Sequence, residues 1–276
     1  MPHEQDNKDN KEPHKGRGMN TDVKGGRGKT EYKIEKIKTA KHDVPLRACM
    51  KNDLLPKFPF SMLISGRSGS GKTCVLLNLL TKKQFYKNYF HYIVVFSPTA
   101  GEGDDTYDVL NLPAENIKSD FTQEDLDNLI ESRKQLIKQK GISWVSKHSR
   151  VLILLDDIIA DRNFLMSPSA LKMFALLRHF LCSVVVLTQS YNKIPRALRI
   201  NCNATIVFPS TQSEVEVLLD EITPAGIKKR DFEKVIDYCT EGRYDFLYIN
   251  RHAERKSQIR KNLDEIIDLE KYKNKK

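Results

Sequence analysis

Short apolar runs alternate with longer amphipathic stretches along most of the chain. Uninterrupted apolar runs predict buried strands, and stretches free of Gly and Pro with apolar residues three and four apart predict helices. Their alternation predicts an α/β fold with a mostly parallel sheet and helices on both faces. The predicted strands are 60–64, 91–97, 151–157, 183–189, 204–208 and 246–249, and the predicted helices are 72–83, 122–140, 168–181, 211–221 and 225–239.

The two ends of the chain lack this alternation. Residues 1–30 are rich in Lys, Asp, Asn and Gly and almost free of apolar side chains, which predicts a disordered basic tail. Residues 31–57 are expected to form an extended lead-in to the core. We therefore expect one domain at residues 58–250, followed by a charged C-terminal tail at residues 251–276.

The net charge of +10 is concentrated at the two ends. Residues 1–57 hold fourteen Lys/Arg against nine Asp/Glu, and residues 251–276 hold nine against five, so the central part is nearly neutral. Basic ends suit a polyanionic partner, because neutralised phosphates release counterions. The alternative is that they are solvated tails that keep the protein in solution.

Five scattered cysteines, without metal-ligand spacing, predict free thiols in a reducing compartment. The chain begins without an apolar leader and contains no run of about eighteen apolar residues. We therefore expect an intracellular protein with no membrane insertion.

The first predicted strand leads directly into a phosphate-binding motif. Gly66 to Thr73 fits G-x-x-x-x-G-K-[ST], and an apolar helix follows. Lys72 is expected to reach the β- and γ-phosphates of ATP, and the Thr73 hydroxyl to ligate Mg²⁺. A similar Gly-Lys-Thr at residues 28–30 has no strand before it, so we interpret it as linker. The predicted nucleotide-binding residues are Gly66, Arg67, Ser68, Gly69, Ser70, Gly71, Lys72, Thr73 and Cys74.

A second motif ends the strand at residues 151–157, where the four apolar residues 152–155 precede two carboxylates. Ligands bind at the carboxyl ends of such strands, so Asp156 is expected to hold Mg²⁺ and Asp157 to act as general base on the attacking water. Gln189, at the end of the next strand, is a predicted sensor of the γ-phosphate. The strand 91–97, between the two motifs, is typical of P-loop ATPases with a RecA-like core and an inserted strand.

Three arginines flank the fourth predicted strand, and one of them is expected to enter a neighbouring subunit's active site. A guanidinium there would neutralise charge on the γ-phosphate. Arg199 is the first candidate and Arg178 the second, with Arg196 nearby. The alternative for each is a surface ion pair.

The run from Arg178-His179 through strand 183–189 to Pro195 and Arg199-Ile-Asn201, with both Walker motifs, resembles the viral DNA-packaging ATPases of the HerA/FtsK group. These are the poxvirus-type enzymes of large eukaryotic DNA viruses and virophages, and the likeness covers about residues 58–250. The resemblance implies a ring of five or six identical subunits that threads double-stranded DNA into a capsid at its portal vertex. It also implies the host cytoplasm, at the viral factory, or association with the virion. One departure is Asp157, where glutamate is common.

Two other functions are compatible with the same motifs. One is a DNA-transfer or helicase-type ATPase of a mobile element, which has the same site. The other is a nucleotide-gated assembly switch that hydrolyses ATP slowly. The carboxylate pair and Gln189 argue against the switch, because binding alone needs no group to activate water.

Overall fold

Nine strands form one sheet across residues 53–99, 105–120, 122–157 and 174–272, which the computed structural model describes. In chain order they are β1 (Ser61–Ser65), β2 (Tyr92–Phe96), β3 (Ile117–Lys118), β4 (Val151–Asp156), β5 (Cys182–Thr188), β6 (Ala204–Val207), β7 (Leu247–Asn250), β8 (Ile259–Lys261) and β9 (Glu265–Ile266). They lie in the order β3-β2-β4-β5-β1-β6-β7-β8-β9. The strands from β3 to β6 in that order are parallel, and β7, β8 and β9 continue the sheet antiparallel.

Helices cover both faces of the sheet. Those with bounds in the described residues are α1 (Lys72–Thr81), α2 (Gln123–Lys140), α3 (Ile142–His148), α4 (Arg196–Asn201), α5 (Gln212–Ile222) and α6 (Lys229–Cys239). Thr122 caps α2 through a capping box with Asp125. Among the described helices, none combines the length and the apolar character needed to cross a membrane.

The apolar strands are buried on both faces because successive side chains point to opposite sides. In β1, Leu63 belongs to the hydrophobic core under α2, α5 and α6, whereas Met62 and Ile64 belong to the core under α1. The central strands β4 and β5 alternate between the two cores in the same way. The predicted two-sided, mostly parallel sheet is therefore confirmed.

The strand inserted between the P-loop strand and the aspartate strand is β5. It pairs with β1 along one edge and with β4 along the other. β2, which lies between the two motifs in the sequence, pairs with the outer edge of β4. This arrangement brings the ends of β4 and β5 to the P-loop side of the sheet.

The segment after residue 250, which the sequence predicts to be a charged tail, contributes β8 and β9 to the sheet. Ile259 is buried, and Lys261 pairs with Asp245 at 3.3 Å. β8 is only three residues long and contains Arg and Lys. The segment therefore has no apolar run from which a strand could be predicted. Trp144 lies in the helix α3, where its indole stacks on His148 with ring centroids 4.9 Å apart.

Several predictions fall partly or wholly outside the described residues. They include the tail 1–30, residues 31–52 of the lead-in, Cys49 and residues 168–173 of the predicted helix 168–181. Within that helix, residues 174–176 are helical and Leu177–Phe180 form a 3-10 helix. Four cysteines are described and all are free thiols: Cys182, Cys202 and Cys239 are buried, and Cys74 is exposed.

Candidate active site

Residues 66–71 form a tight loop between β1 and α1, where the motif predicts a phosphate-binding loop. Gly71 has φ of 101°, a left-handed conformation that side-chain-bearing residues rarely adopt. A β-carbon on Gly66 would lie 2.6 Å from Ser70 Oγ and 2.7 Å from Phe208 Cβ, so the loop has no room for a side chain there. The backbone thus requires both motif glycines, and it opens onto the N-terminus of α1, where anions are favoured.

Lys72 lies across this loop. Its Nζ donates hydrogen bonds to the carbonyl oxygens of Gly66, at 2.7 Å, and Arg67, at 3.1 Å. Burial lowers the pKa of Lys72, while the carboxylates of Asp157 and Asp156 act in the opposite direction. The ammonium group is therefore held between the loop and the acid pair.

The two carboxylates follow the buried part of β4. Asp157 has φ of 51°, and its N–H donates to the carbonyl of Leu187 on β5 at 3.2 Å. This turn directs the backbone out of the strand while keeping it bonded to β5. Gln189 Nε2 donates to Asp157 Oδ2 at 2.5 Å, so the predicted base and the predicted sensor are in direct contact.

Tyr107 is a site residue to which no sequence pattern points. Its hydroxyl donates to Asp156 Oδ2 at 2.6 Å, and the residue is buried. Tyr107 is a single aromatic in a polar region, 49 residues before Asp156, and only the fold places the two together. A hydrogen bond of this kind restricts the orientation of the carboxylate.

A cleft of about 490 Å³ brings most of the predicted residues together. Lys72, Thr73, Asp156, Asp157 and Gln189 all line it. From the P-loop it is also lined by Ser68, Gly69, Gly71 and Cys74, and from the region after β2 by Ser97, Pro98, Thr99 and Thr106. The other three predicted nucleotide-binding residues contribute differently: Gly66 and Arg67 through their carbonyls to Lys72, and Ser70 as a buried residue of the loop.

Arg199, the first candidate for a catalytic arginine, does not line the cleft. It is 7% exposed, and its guanidinium forms a bidentate pair with Glu221, with Nη2 2.5 Å and Nε 2.9 Å from the carboxylate oxygens. It also donates to the carbonyls of Asn192 and Ile194 and packs over the ring of Tyr191. A guanidinium that enters a neighbouring subunit must be exposed, so the predicted catalytic role of Arg199 is not supported.

The pair between Arg199 and Glu221 anchors α4 to α5. Burial alone would raise the pKa of Glu221, but the hydrogen bonds and charge of Arg199 outweigh it and lower that pKa. Tyr191 donates to the same carboxylate at 3.1 Å. Arg196 is mainly exposed and lies 3.7 Å from Glu221.

Arg178, the second candidate, is exposed in the 3-10 helix before β5. It therefore lies at the opposite end of β5 from Gln189, away from the cleft of its own chain. Its side chain is accessible at the surface.

The inserted strand β5, the glycine loop, the half-buried Lys72 and the carboxylate pair define the class of this protein, a P-loop NTPase with a RecA-like core. The chain belongs to the Poxvirus A32 protein family, whose model matches residues 48–260. The resemblance to poxvirus-type packaging ATPases is therefore confirmed.

Curated relatives carry the same family likeness. The chain is 29% identical to DNA packaging protein OPG160 of Vaccinia virus (strain Copenhagen) over 193 residues, which are 68% of this chain and 67% of that protein. It is 30% identical to DNA packaging protein OPG160 of Variola virus over 184 residues, or 65% of this chain and 64% of that protein.

A solved structure supports the fold. The genome packaging NTPase B204 of Sulfolobus turreted icosahedral virus 2, in complex with AMP, superimposes with a TM-score of 0.51. The match covers 74% of this chain and 96% of B204 at 14% identity. The α/β fold predicted from the sequence is thus shared with a packaging NTPase.

Proposed function

We propose that this protein is an ATP-hydrolysing motor that moves double-stranded DNA into a viral capsid. The observation that carries the proposal is the single cleft that contains Lys72, Asp156, Asp157 and Gln189, in a chain of the Poxvirus A32 protein family. The vaccinia and variola relatives are named DNA packaging proteins, which supports genome packaging as the task. The expected place of action is the viral factory in the host cytoplasm.

The P-loop would bind the triphosphate of ATP. Backbone N–H groups at the start of α1 favour the phosphate oxygens, and Lys72 supplies a positive charge next to them. The carbonyl contacts of Lys72 hold its ammonium group over the loop. When ATP binds, its phosphate oxygens would compete with these carbonyls for the N–H donors of the Lys72 ammonium group.

Thr73 and Asp156 are suited to hold Mg²⁺. Both line the cleft, and a hydroxyl with a carboxylate is the hard oxygen donor set that Mg²⁺ prefers. When bound, the ion would neutralise charge on the β- and γ-phosphates. Tyr107 would orient the Asp156 carboxylate toward it.

Asp157 and Gln189 would prepare the attacking water. Asp157 accepts its hydrogen bond from Gln189 on one oxygen, and a carboxylate has further acceptor positions for a water molecule. Asp157 would then take the proton of that water as general base. Gln189 links Asp157 to the end of β5. A change at the γ-phosphate could therefore be transmitted to the sheet through this side chain.

Arg178 would complete the site from a neighbouring subunit in a ring. Charge that develops on the γ-phosphate needs a cation beyond Lys72, and an arginine supplied in trans is the usual source in this class. Arg178 is exposed and its own cleft is at the other end of β5. The ring assembly is therefore part of the proposed mechanism.

The proposal predicts DNA-dependent turnover. Steady-state ATP hydrolysis of the full chain with Mg²⁺ should rise about tenfold or more when long double-stranded DNA is added, because the track would close the ring and complete each site. Single-stranded DNA of equal nucleotide concentration is the control. Hydrolysis that is indifferent to DNA would contradict the motor and favour the assembly switch.

A second prediction concerns the hydroxyl of Tyr107. Tyr107→Phe should raise the Mg²⁺ concentration for half-maximal hydrolysis by about tenfold, because loss of an outer hydrogen bond to a metal ligand typically weakens metal binding by 10- to 100-fold. The substitution retains the aromatic side chain, so the free energy of unfolding should change little. Tyr92→Phe, at an exposed position on β2, is the matched control. An unchanged Mg²⁺ requirement would remove Tyr107 from the site.

A further inference from the structure

An exposed tyrosine lies against the P-loop on the side away from the acid pair. Tyr244 is 59% exposed, although it belongs to a turn next to the core. A β-carbon on Gly71 would lie 3.6 Å from Tyr244 Cδ1 and 3.7 Å from Phe208 Cε1. The ring thus lies beside Gly71, the last glycine of the P-loop.

The topology of the sheet shows which end of a nucleotide would meet this ring. β1 lies between β5 and β6, and the acid pair and Gln189 all come from the β5 side. The terminal phosphate must approach those groups. Tyr244 precedes β7, which pairs with β6, and so lies on the other side of β1. The nucleoside end of a nucleotide bound in this way would therefore leave the loop toward this side.

The turn that carries Tyr244 is held rigidly. Asp245 accepts hydrogen bonds from the backbone of Gly242 at 3.2 Å and from the side chain of Asn262 at 3.0 Å. Lys261 on β8 forms an ion pair with Asp245 at 3.3 Å. The backbone turn that carries Tyr244 is therefore held by groups of the hairpin β7–β8, and little backbone ordering is needed before a ligand binds.

The surface of this ring suits a flat aromatic ligand. The guanidinium of Arg243 lies over the ring, 5.2 Å from its centroid, and leaves most of the side chain exposed. Nucleobases stack on aromatic rings and on arginine planes, and the larger purines have more surface to bury. With the guanidinium over one face of the ring, the opposite face would be the one on which a base stacks.

We propose that Tyr244, assisted by Arg243, is the stacking platform for the base of a purine nucleoside triphosphate. This inference rests on the proposed function, because it takes the P-loop as the phosphate site. It adds the residue that would bind the nucleoside, and it makes the C-terminal hairpin part of the nucleotide site. The base would contribute affinity through Tyr244 separately from the phosphates at Lys72.

The experiment separates the base from the phosphates. The full chain and its Tyr244→Ala and Tyr244→Phe variants are titrated in a calorimeter with Mg²⁺-ATP and with Mg²⁺-tripolyphosphate, which has no base. Tyr244→Ala should raise the Kd of ATP about tenfold, the effect of losing one stacked ring, and leave the Kd of tripolyphosphate within about twofold. Tyr244→Phe retains the ring and should bind both ligands as the wild type does.

Trp144→Ala is the control, since Trp144 is another exposed aromatic and stacks on His148 of α3. It should leave both affinities unchanged. Unchanged ATP affinity in Tyr244→Ala would overturn the platform. Equal weakening of ATP and tripolyphosphate would also overturn it, by showing that the ring supports the P-loop. A wild type that binds ATP in this way without hydrolysing it would overturn the motor and leave the platform intact.

Discussion

Lys72→Ala should reduce ATP hydrolysis by about a thousandfold or more, to the limit of detection. The ammonium group is the cation that the P-loop brings to the β- and γ-phosphates, and electrostatic stabilisation supplies most of the catalysis in phosphoryl transfer. Two carbonyl contacts hold the Lys72 ammonium group in place. Among the described residues, no other lysine lines the cleft. The measurement is the steady-state rate of phosphate release with Mg²⁺ and double-stranded DNA.

The variant should fold normally. Burial already lowers the pKa of Lys72, which means that the fold gains little from its charge. Urea unfolding should therefore give a free energy close to that of the wild type. Lys83→Ala, at an exposed position just after α1, is the control and should retain full activity. Wild-type turnover in Lys72→Ala would show that hydrolysis takes place elsewhere.

Arg199→Ala should destabilise the protein by about 3–5 kcal/mol, the cost of removing one partner of a buried ion pair. The side chains of Arg199 and Glu221 are 8% and 4% exposed, so the remaining carboxylate would stay buried beside Tyr191. A domain of this kind is stable by only about 5–15 kcal/mol, so the loss is large. The measurement is the free energy of unfolding in urea.

Arg196→Ala provides the comparison, because Arg196 faces the same carboxylate from an exposed position. It should cost less than about 1 kcal/mol. A structural Arg199 and a catalytic one give different results in mixed rings. If Arg199→Ala kept its stability, and mixing with Lys72→Ala subunits restored hydrolysis, Arg199 would act in trans and the structural assignment would be wrong.

The candidate site residues at the ends of strands could be predicted from the sequence because each lies within a local pattern. The apolar runs before Gly66 and Asp156 specify buried strands, and the residues that follow emerge at the carboxyl edge of a parallel sheet. Gln189 follows the same rule at the end of β5. The structure brings these residues into one cleft, as the patterns imply.

The arginines show where local patterns are insufficient. Arg199 and Arg178 flank the same strand and are equally plausible in the sequence, since each lies within ten residues of the predicted strand 183–189. Burial separates them: Arg199 is bound by Glu221, 22 residues later, and Arg178 is exposed. No spacing rule connects an arginine to a glutamate on a different helix.

The sequence by itself determined the class of secondary structure, the P-loop, the acid pair and the family, because apolar periodicity and motif spacing are local properties of the chain. The tertiary structure decided which strands are neighbours, which placed β5 between β1 and β4. It also decided that Tyr107 meets Asp156 and that Tyr244 lies against the P-loop. These contacts join residues far apart in the chain, and their formation depends on how the whole sheet and its helices pack.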